Sequence, residues 1–111
     1  MLALTAATRI YLYRSACDMR KSFDGLCGLI RLDLNQDPLS GSLFVCCNRY
    51  RNRVKLLYWD SDGLAIWYKR LEKGTFSRPD ICTEDGRIDR RDLNLLLEGV
   101  IPKKVSKRYK K

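Results

Sequence analysis

The spacing of apolar and polar positions predicts a short strand and one main helix in the first part of the chain. The run Ile10-Tyr-Leu-Tyr13 is β-branched and aromatic, which is typical of a strand. From Met19 to Leu34, apolar residues recur at the three- and four-residue spacing of a helix. Asp18 has a side chain suited to the N-cap of that helix. Turn-forming residues at 35–41 then end the helical pattern.

The middle of the chain predicts an antiparallel β-meander. Leu43-Phe-Val-Cys-Cys47 is a continuous apolar run, which indicates a strand buried on both faces. Strands are also predicted at Val54–Trp59 and Leu64–Leu71. Between them, Asp60-Ser-Asp-Gly63 has the chemistry of a tight hairpin turn. Short connections of this kind join strands that are neighbours in an antiparallel sheet.

The last part of the chain predicts a short second helix. Asp89-Arg-Arg-Asp92 resembles a capping box, and Ile88 and Leu93 occupy the hydrophobic-staple positions around it. Gly99 is a suitable C-terminal stop for this helix. Beyond it, residues 102–111 are rich in lysine and lack periodicity, so we expect a disordered basic tail.

Together these patterns predict an α+β fold: an antiparallel β-meander packed against one main helix, with a short C-terminal helix and a basic tail. A length of 111 residues with 45% hydrophobic residues fits one domain, which we place at 1–101, with the tail at 102–111. No apolar run approaches the roughly 18–20 residues that a membrane-spanning helix needs. We therefore expect a cytoplasmic protein that does not contact the membrane.

The residue types present argue against a metal site and against catalysis. The chain has five cysteines, with no Cys-x-x-Cys pair, and no histidine, so we do not expect a zinc site. We expect the cysteines to be reduced and mostly buried. The absence of histidine also removes the commonest general base. Asp60 and Asp62 are explained by their turn, and no other carboxylate pattern suggests a magnesium-dependent nuclease. We expect neither a cofactor nor an enzymatic activity.

The net charge of +9 is concentrated in two segments. Residues 49–55 contain four basic side chains and no acidic one, and the last ten residues contain six basic side chains and no acidic one. The rest of the chain is close to neutral. Separated blocks of positive charge attract polyanions such as nucleic acid.

The basic segment at 48–53 is the best candidate site that the sequence offers. Arginine forks suit phosphate, and Tyr50 could stack on a base. Alternation along a strand would place the three arginines on one face. The other interpretation is an ordinary solvated hairpin end. We expect phosphate contacts from Arg49, Arg51, Arg53 and Lys55, with Arg20, Lys21, Lys69 and Arg70 as second candidates.

Four segments along the chain carry a shared pattern: Asp18-Met-Arg-Lys-Ser-Phe-Asp-Gly-Leu26, Asp37-Pro-Leu-Ser-Gly-Ser-Leu-Phe-Val45, Asn48-Arg-Tyr-Arg-Asn-Arg-Val-Lys-Leu-Leu-Tyr-Trp-Asp60 followed by Gly63, and Lys69-Arg-Leu-Glu-Lys-Gly-Thr-Phe76 up to Pro79. In this order they resemble the TnpB accessory protein of insertion-sequence 66 family transposable elements. Ser15-Ala16 departs from the Gly-Pro turn common in that family, and Ser22 and Cys46 replace a usual glycine and a usual aromatic residue. The lysine-rich tail is outside the shared pattern.

This resemblance implies a non-catalytic accessory role in DNA transposition, in which a separate, larger transposase of the same element carries the catalytic centre. Combined with the charge pattern, it leads us to expect that the protein binds DNA at the ends of the element. Two alternatives stay open. The protein could be an adaptor that docks on the transposase without touching DNA, or an RNA-binding module that uses the same arginines and aromatic residues.

Overall fold

The described part of the chain folds into one five-stranded sheet with a helix on each face. The computed structural model describes residues 4–77 and 85–98. The predicted α+β fold is confirmed. In chain order the elements are β1 (Ile10–Leu12), α1 (Phe23–Asp33), β2 (Leu43–Cys47), β3 (Arg53–Asp60), β4 (Gly63–Arg70), β5 (Arg87–Ile88) and α2 (Arg90–Glu98).

The strands lie in the order β4-β3-β2-β1-β5. The antiparallel meander of β2, β3 and β4 is confirmed. The sheet is mixed, however, because β1 pairs with β2 in parallel, with Ile10 opposite Leu43. A parallel pair needs a long crossover connection, and α1 supplies it. The parallel pairing places the end of β1 beside the end of β2, where the basic segment begins.

Helix α1 begins at Phe23, later than the sequence pattern predicts. The Asp18 side chain accepts the main-chain N–H of Arg20 at 2.9 Å, and the Asp18 carbonyl accepts the N–H of Lys21 at 3.0 Å. These two bonds make a turn ahead of the helix, so the prediction that Asp18 is the N-cap is wrong. Ser22 takes that position, without a side-chain capping bond.

Two apolar clusters cover the two faces of the sheet. Strand β2 contributes to both clusters, which confirms that it is buried on both sides. Burial of apolar side chains on each face is the main force that fixes the helices to the sheet. The α1 cluster includes Leu26, Ile30, Phe44 and Leu57, and the α2 cluster includes Leu93, Leu96, Val45, Val54 and Leu56.

Helix α2 has the predicted N-terminal cap. Asp89 accepts the main-chain N–H of Asp92 at 2.8 Å through its side chain. Ile88 and Leu93, on either side of this cap, are both buried. The cap therefore directs the helix onto the sheet as well as satisfying its first turn.

The structure also bears on the thiols and on membrane insertion. Cys17, Cys27 and Cys46 are buried, as predicted for most of the thiols, and Cys47 is partly buried. Within residues 4–77 and 85–98, no helix is long and apolar enough to cross a bilayer. Cys82, Pro79, the predicted stop at Gly99 and the basic tail at 102–111 lie outside the described residues.

Candidate nucleic-acid interface

The basic segment forms a loop that the Asn48 side chain holds closed. The Asn48 side-chain oxygen accepts the main-chain N–H groups of Asn52 at 3.0 Å and Arg53 at 2.9 Å. The Asn48 amide group also donates to the Asn52 side-chain oxygen at 2.7 Å. Asparagine favours such loops because its side chain can replace main-chain hydrogen-bond partners. The two asparagines thus fix the positions from which the arginines project.

Arg51 anchors this loop to the chain that follows β4. Its main-chain oxygen accepts the N–H of Phe76 at 2.7 Å, and its guanidinium donates to the Phe76 carbonyl at 3.1 Å. Its φ angle of 58° lies in the left-handed region, so strand alternation does not extend through this position. The prediction that Arg49, Arg51 and Arg53 share a face by alternation is therefore wrong. Arg51 supports the loop instead.

Two distant segments face each other across a groove of about 450 Å³. Residues 17–20 line one wall, and residues 48–50, 52 and 53 line the other. We call this the basic groove, because Arg20, Arg49 and Arg53 all line it. The Tyr50 side chain also lines it and is 74% exposed. The structure thus brings together one second-choice and two first-choice basic residues of the sequence prediction.

Arg20 enters the basic groove already paired with Asp18. Its guanidinium contacts both carboxylate oxygens of Asp18, with the shortest distance 2.9 Å, while the arginine side chain is 91% exposed. The hydrogen bonds from Arg20 lower the pKa of Asp18 to about 2. The pair fixes the direction of the arginine but offsets part of its charge.

Arg53 and Arg70 lie directly opposite each other on β3 and β4. Like charges opposite each other in an antiparallel pair destabilise the sheet. Glu72 accepts a hydrogen bond from Arg70 at 3.1 Å, but both side chains of that ion pair are well exposed, so it compensates weakly. A bound anion would relieve the repulsion between the two arginines. This makes the strand end beside the groove a favourable place for phosphate.

Lys55 has a different role from the one expected. Its side chain is buried, with 8% exposure, and its ammonium donates to the carbonyls of Met19 and Lys21, each at 2.8 Å. The ammonium also lies 4.8 Å from the ring centre of Tyr68. Lys55 therefore holds the segment that forms one wall of the basic groove, and its charge is directed into the protein.

The two remaining second candidates do not line the basic groove. Lys69 donates to the carbonyl of Leu97 in α2 at 3.3 Å, on the opposite face of the sheet. The stem of half-buried Lys21 packs beside Gly25, where an added Cβ would lie 3.1 Å from the lysine Cβ. The Lys69 ammonium is thus engaged with α2, and the stem of Lys21 with α1.

Sequence reasoning missed Arg14. This residue lines a smaller cavity of about 70 Å³ next to the loop, together with Arg49 and Arg51. It is placed there because the chain after β1 runs beside the end of β2, where Cys17 donates its N–H to the Cys47 carbonyl at 2.8 Å. No local pattern in the sequence signals this approach, since it depends on the parallel pairing.

Among the described residues, no three histidine, cysteine, aspartate or glutamate side chains come together as a metal-binding group. The charged groups that the structure concentrates near the loop are arginines. Their planar forks can each donate two hydrogen bonds to one phosphate, and the exposed Tyr50 ring offers a stacking surface. Arginine forks and an exposed aromatic ring are the groups with which proteins commonly hold a phosphate backbone and its bases.

Comparison with known proteins finds one family and uncharacterized relatives. A family model described as "IS66 Orf2 like protein" matches residues 8–107. An uncharacterized protein, y4jC, from Sinorhizobium fredii (strain NBRC 101917 / NGR234) is 28% identical over 100 residues, covering 90% of this chain and 86% of its own. A second uncharacterized protein from the same strain, y4hO, is 30% identical over 100 residues, covering 90% of this chain and 87% of its own. No solved structure matches.

Proposed function

This chain belongs to the IS66 Orf2-like family, and we propose that it is an accessory protein of transposition that binds DNA through the basic groove. In this proposal the protein is not an enzyme. It works beside the larger transposase of the same element, which performs the strand chemistry, and it binds at the element ends in the cytoplasm. Arg49 and Arg53 make the main phosphate contacts, with Arg20 and Arg70 beside them.

The observation that supports this function best is the meeting of Arg20, Arg49 and Arg53 in one groove. The two walls come from segments far apart in the sequence, so the groove is a product of the fold. Asn48 and Lys55 fix the two walls through internal hydrogen bonds. Binding to a fixed arrangement of donors costs less conformational entropy than binding to a flexible basic tail.

The test is binding to element-end duplex and to scrambled duplex across a series of salt concentrations. We expect the double variant Arg49→Ala/Arg53→Ala to bind more weakly and to flatten the salt dependence. The slope of log K against log salt should fall by about 0.9 for each lost duplex phosphate contact, or about 1.8 for both. A difference between the two duplexes would show sequence reading in addition to phosphate binding.

The matched control is Arg31→Ala/Arg91→Ala, which removes two exposed arginines from the two helices and changes the net charge equally. If both double variants lower the salt slope equally, the effect is one of overall charge and the groove assignment fails. If neither binds differently from the wild type, the groove does not contact DNA.

The two alternatives are decided by parallel measurements. If the protein copurifies with the transposase after nuclease treatment and does not shift duplex DNA, it is an adaptor. If single-stranded RNA displaces duplex DNA in direct competition, the same arginines and Tyr50 bind RNA.

A further inference from the structure

Strand β4 forms one edge of the sheet and offers hydrogen-bonding groups on its outer side. In the described part of the chain it pairs with β3 alone, over all eight of its residues. In an antiparallel strand, the main-chain N–H and C=O groups of alternate residues point toward and away from the neighbouring strand. The N–H of Leu71 donates inward to Asn52 at 2.8 Å, so alternation turns the main-chain groups of the even-numbered residues outward. These residues are Leu64, Ile66, Tyr68 and Arg70.

This edge is apolar at its centre and charged at its two ends. Leu64, Ala65, Ile66 and Trp67 are partly exposed, and Tyr68 is 48% exposed. Asp62 lies in the turn before the strand, and Lys69 and Arg70 end it. The other edge strand, β5, has only two residues. A long, partly apolar edge is a template for pairing with another strand.

We propose that β4 pairs antiparallel with β4 of a second copy of this chain, about a two-fold axis at Ile66, to form one sheet across both copies. A two-fold interface uses the same surface twice and must therefore be complementary to itself. The charges of β4 meet this condition, because reversing the strand brings its acidic end to the basic end of the other copy.

The register follows from the side chains that would meet. With Ile66 opposite Ile66 of the second copy, Asp62 lies opposite Arg70 of the second copy, and Trp67 lies opposite the small Ala65 of the second copy. The next register, centred on Trp67, would place Asp62 opposite Glu72 of the second copy and the two indole rings against each other. Opposite charges favour a cross-strand pair and like charges oppose it, so the Ile66 register is preferred to the one centred on Trp67.

Pairing of β4 does not depend on the proposed DNA binding, but a dimer of this kind would affect how DNA is bound. In this register the Arg70 residues of the two copies lie at opposite ends of the paired strands, about 27 Å apart at a rise of about 3.4 Å per residue. Because the axis is perpendicular to the sheet, both arginines face the same side. Two basic grooves would then lie within roughly one helical turn of a duplex, which is about 34–36 Å.

The experiment is analytical ultracentrifugation of the full chain, without DNA, in reducing buffer and over a range of concentrations. Reducing conditions prevent dimers joined by disulfides between the free cysteines. We expect a concentration-dependent dimer. Ile66→Pro should give a monomer, because the lost N–H points away from β3 and proline blocks the outer edge.

Charge reversal tests the register without altering the strand. Asp62→Arg should weaken dimerisation by about tenfold, since two symmetric attractions become repulsions. Asp62→Arg/Arg70→Asp should restore it. If Ile66→Pro does not fold, as judged by circular dichroism, this pair of variants decides the question alone.

The control is Leu32→Ser, which removes an apolar side chain that is 85% exposed on α1, away from the edge. The proposal requires this variant to remain dimeric. A wild type that is monomeric at every concentration overturns the proposal. That result is expected if another part of the same chain covers β4. The proposal is also overturned if Leu32→Ser abolishes the dimer while the β4 variants leave it intact.

Discussion

Replacing Lys55 by methionine separates the structural role of this lysine from the phosphate contact that its position in the sequence suggests. Methionine has a similar length and no charge, so it fills the same space but cannot donate to the carbonyls of Met19 and Lys21. The change therefore acts on one wall of the basic groove through the fold. We expect both a less stable protein and weaker DNA binding.

The size of the stability loss follows from the hydrogen bonds. Two bonds from a charged donor at 2.8 Å contribute roughly 1.5–3 kcal/mol each. Part of this is offset, because methionine avoids the cost of burying an ammonium group and because water can reach the half-buried Met19 and Lys21. We therefore expect the free energy of unfolding to fall by about 2–3 kcal/mol.

The assay is urea denaturation followed by tryptophan fluorescence, with Lys73→Met as the control because Lys73 is exposed in the turn after β4. The control should change the free energy of unfolding by less than about 0.5 kcal/mol. If Lys55 contacts phosphate instead, Lys55→Met will leave stability within that limit and lower only the salt slope of DNA binding, by about 0.9. That pattern would refute the structural role.

The remaining predictions concern two glycines and the half-buried Tyr13. Gly86→Ala should destabilise the protein by about 2 kcal/mol or more, because φ is +81° there and the new Cβ would lie 2.6 Å from the Leu12 carbonyl oxygen. Gly28→Ala should instead raise the free energy of unfolding by about 1 kcal/mol in parallel thermal melts, because the new Cβ would have no atom within 4 Å. The Tyr13 hydroxyl donates to Asp33 at 2.7 Å, which raises the pKa of Tyr13 from 10.0 to about 12. A raised folded-state pKa gives stability that is complete below pH 10 and is lost as the pH rises through 12. Tyr13→Phe should lack this part of the alkaline decline in urea denaturation between pH 9 and 11.5.

The sequence predicted the elements that depend on neighbours along the chain. The hairpin at Asp60–Gly63, the cap of α2 at Asp89 and the doubly buried strand β2 are all set by spacings of two to four residues. The start of α1 was misplaced because Asp18 can serve equally as an N-cap or as the acceptor of a local turn. A local pattern contains no information that decides between those two.

What the sequence by itself determined is the family, the order of the elements apart from the short strand β5, and the concentration of basic residues at 49–55. Only the tertiary structure decided where each of these basic residues lies. Lys55 finds its carbonyl partners 34 and 36 residues away, and Arg51 binds a carbonyl 25 residues away, so both are engaged in holding the fold. Arg49 and Arg53 instead meet Arg20 across a groove, because β2 and β3 carry the loop to the segment that precedes α1. A side chain's role depends on which atoms surround it, and those atoms come from parts of the chain that no local spacing connects.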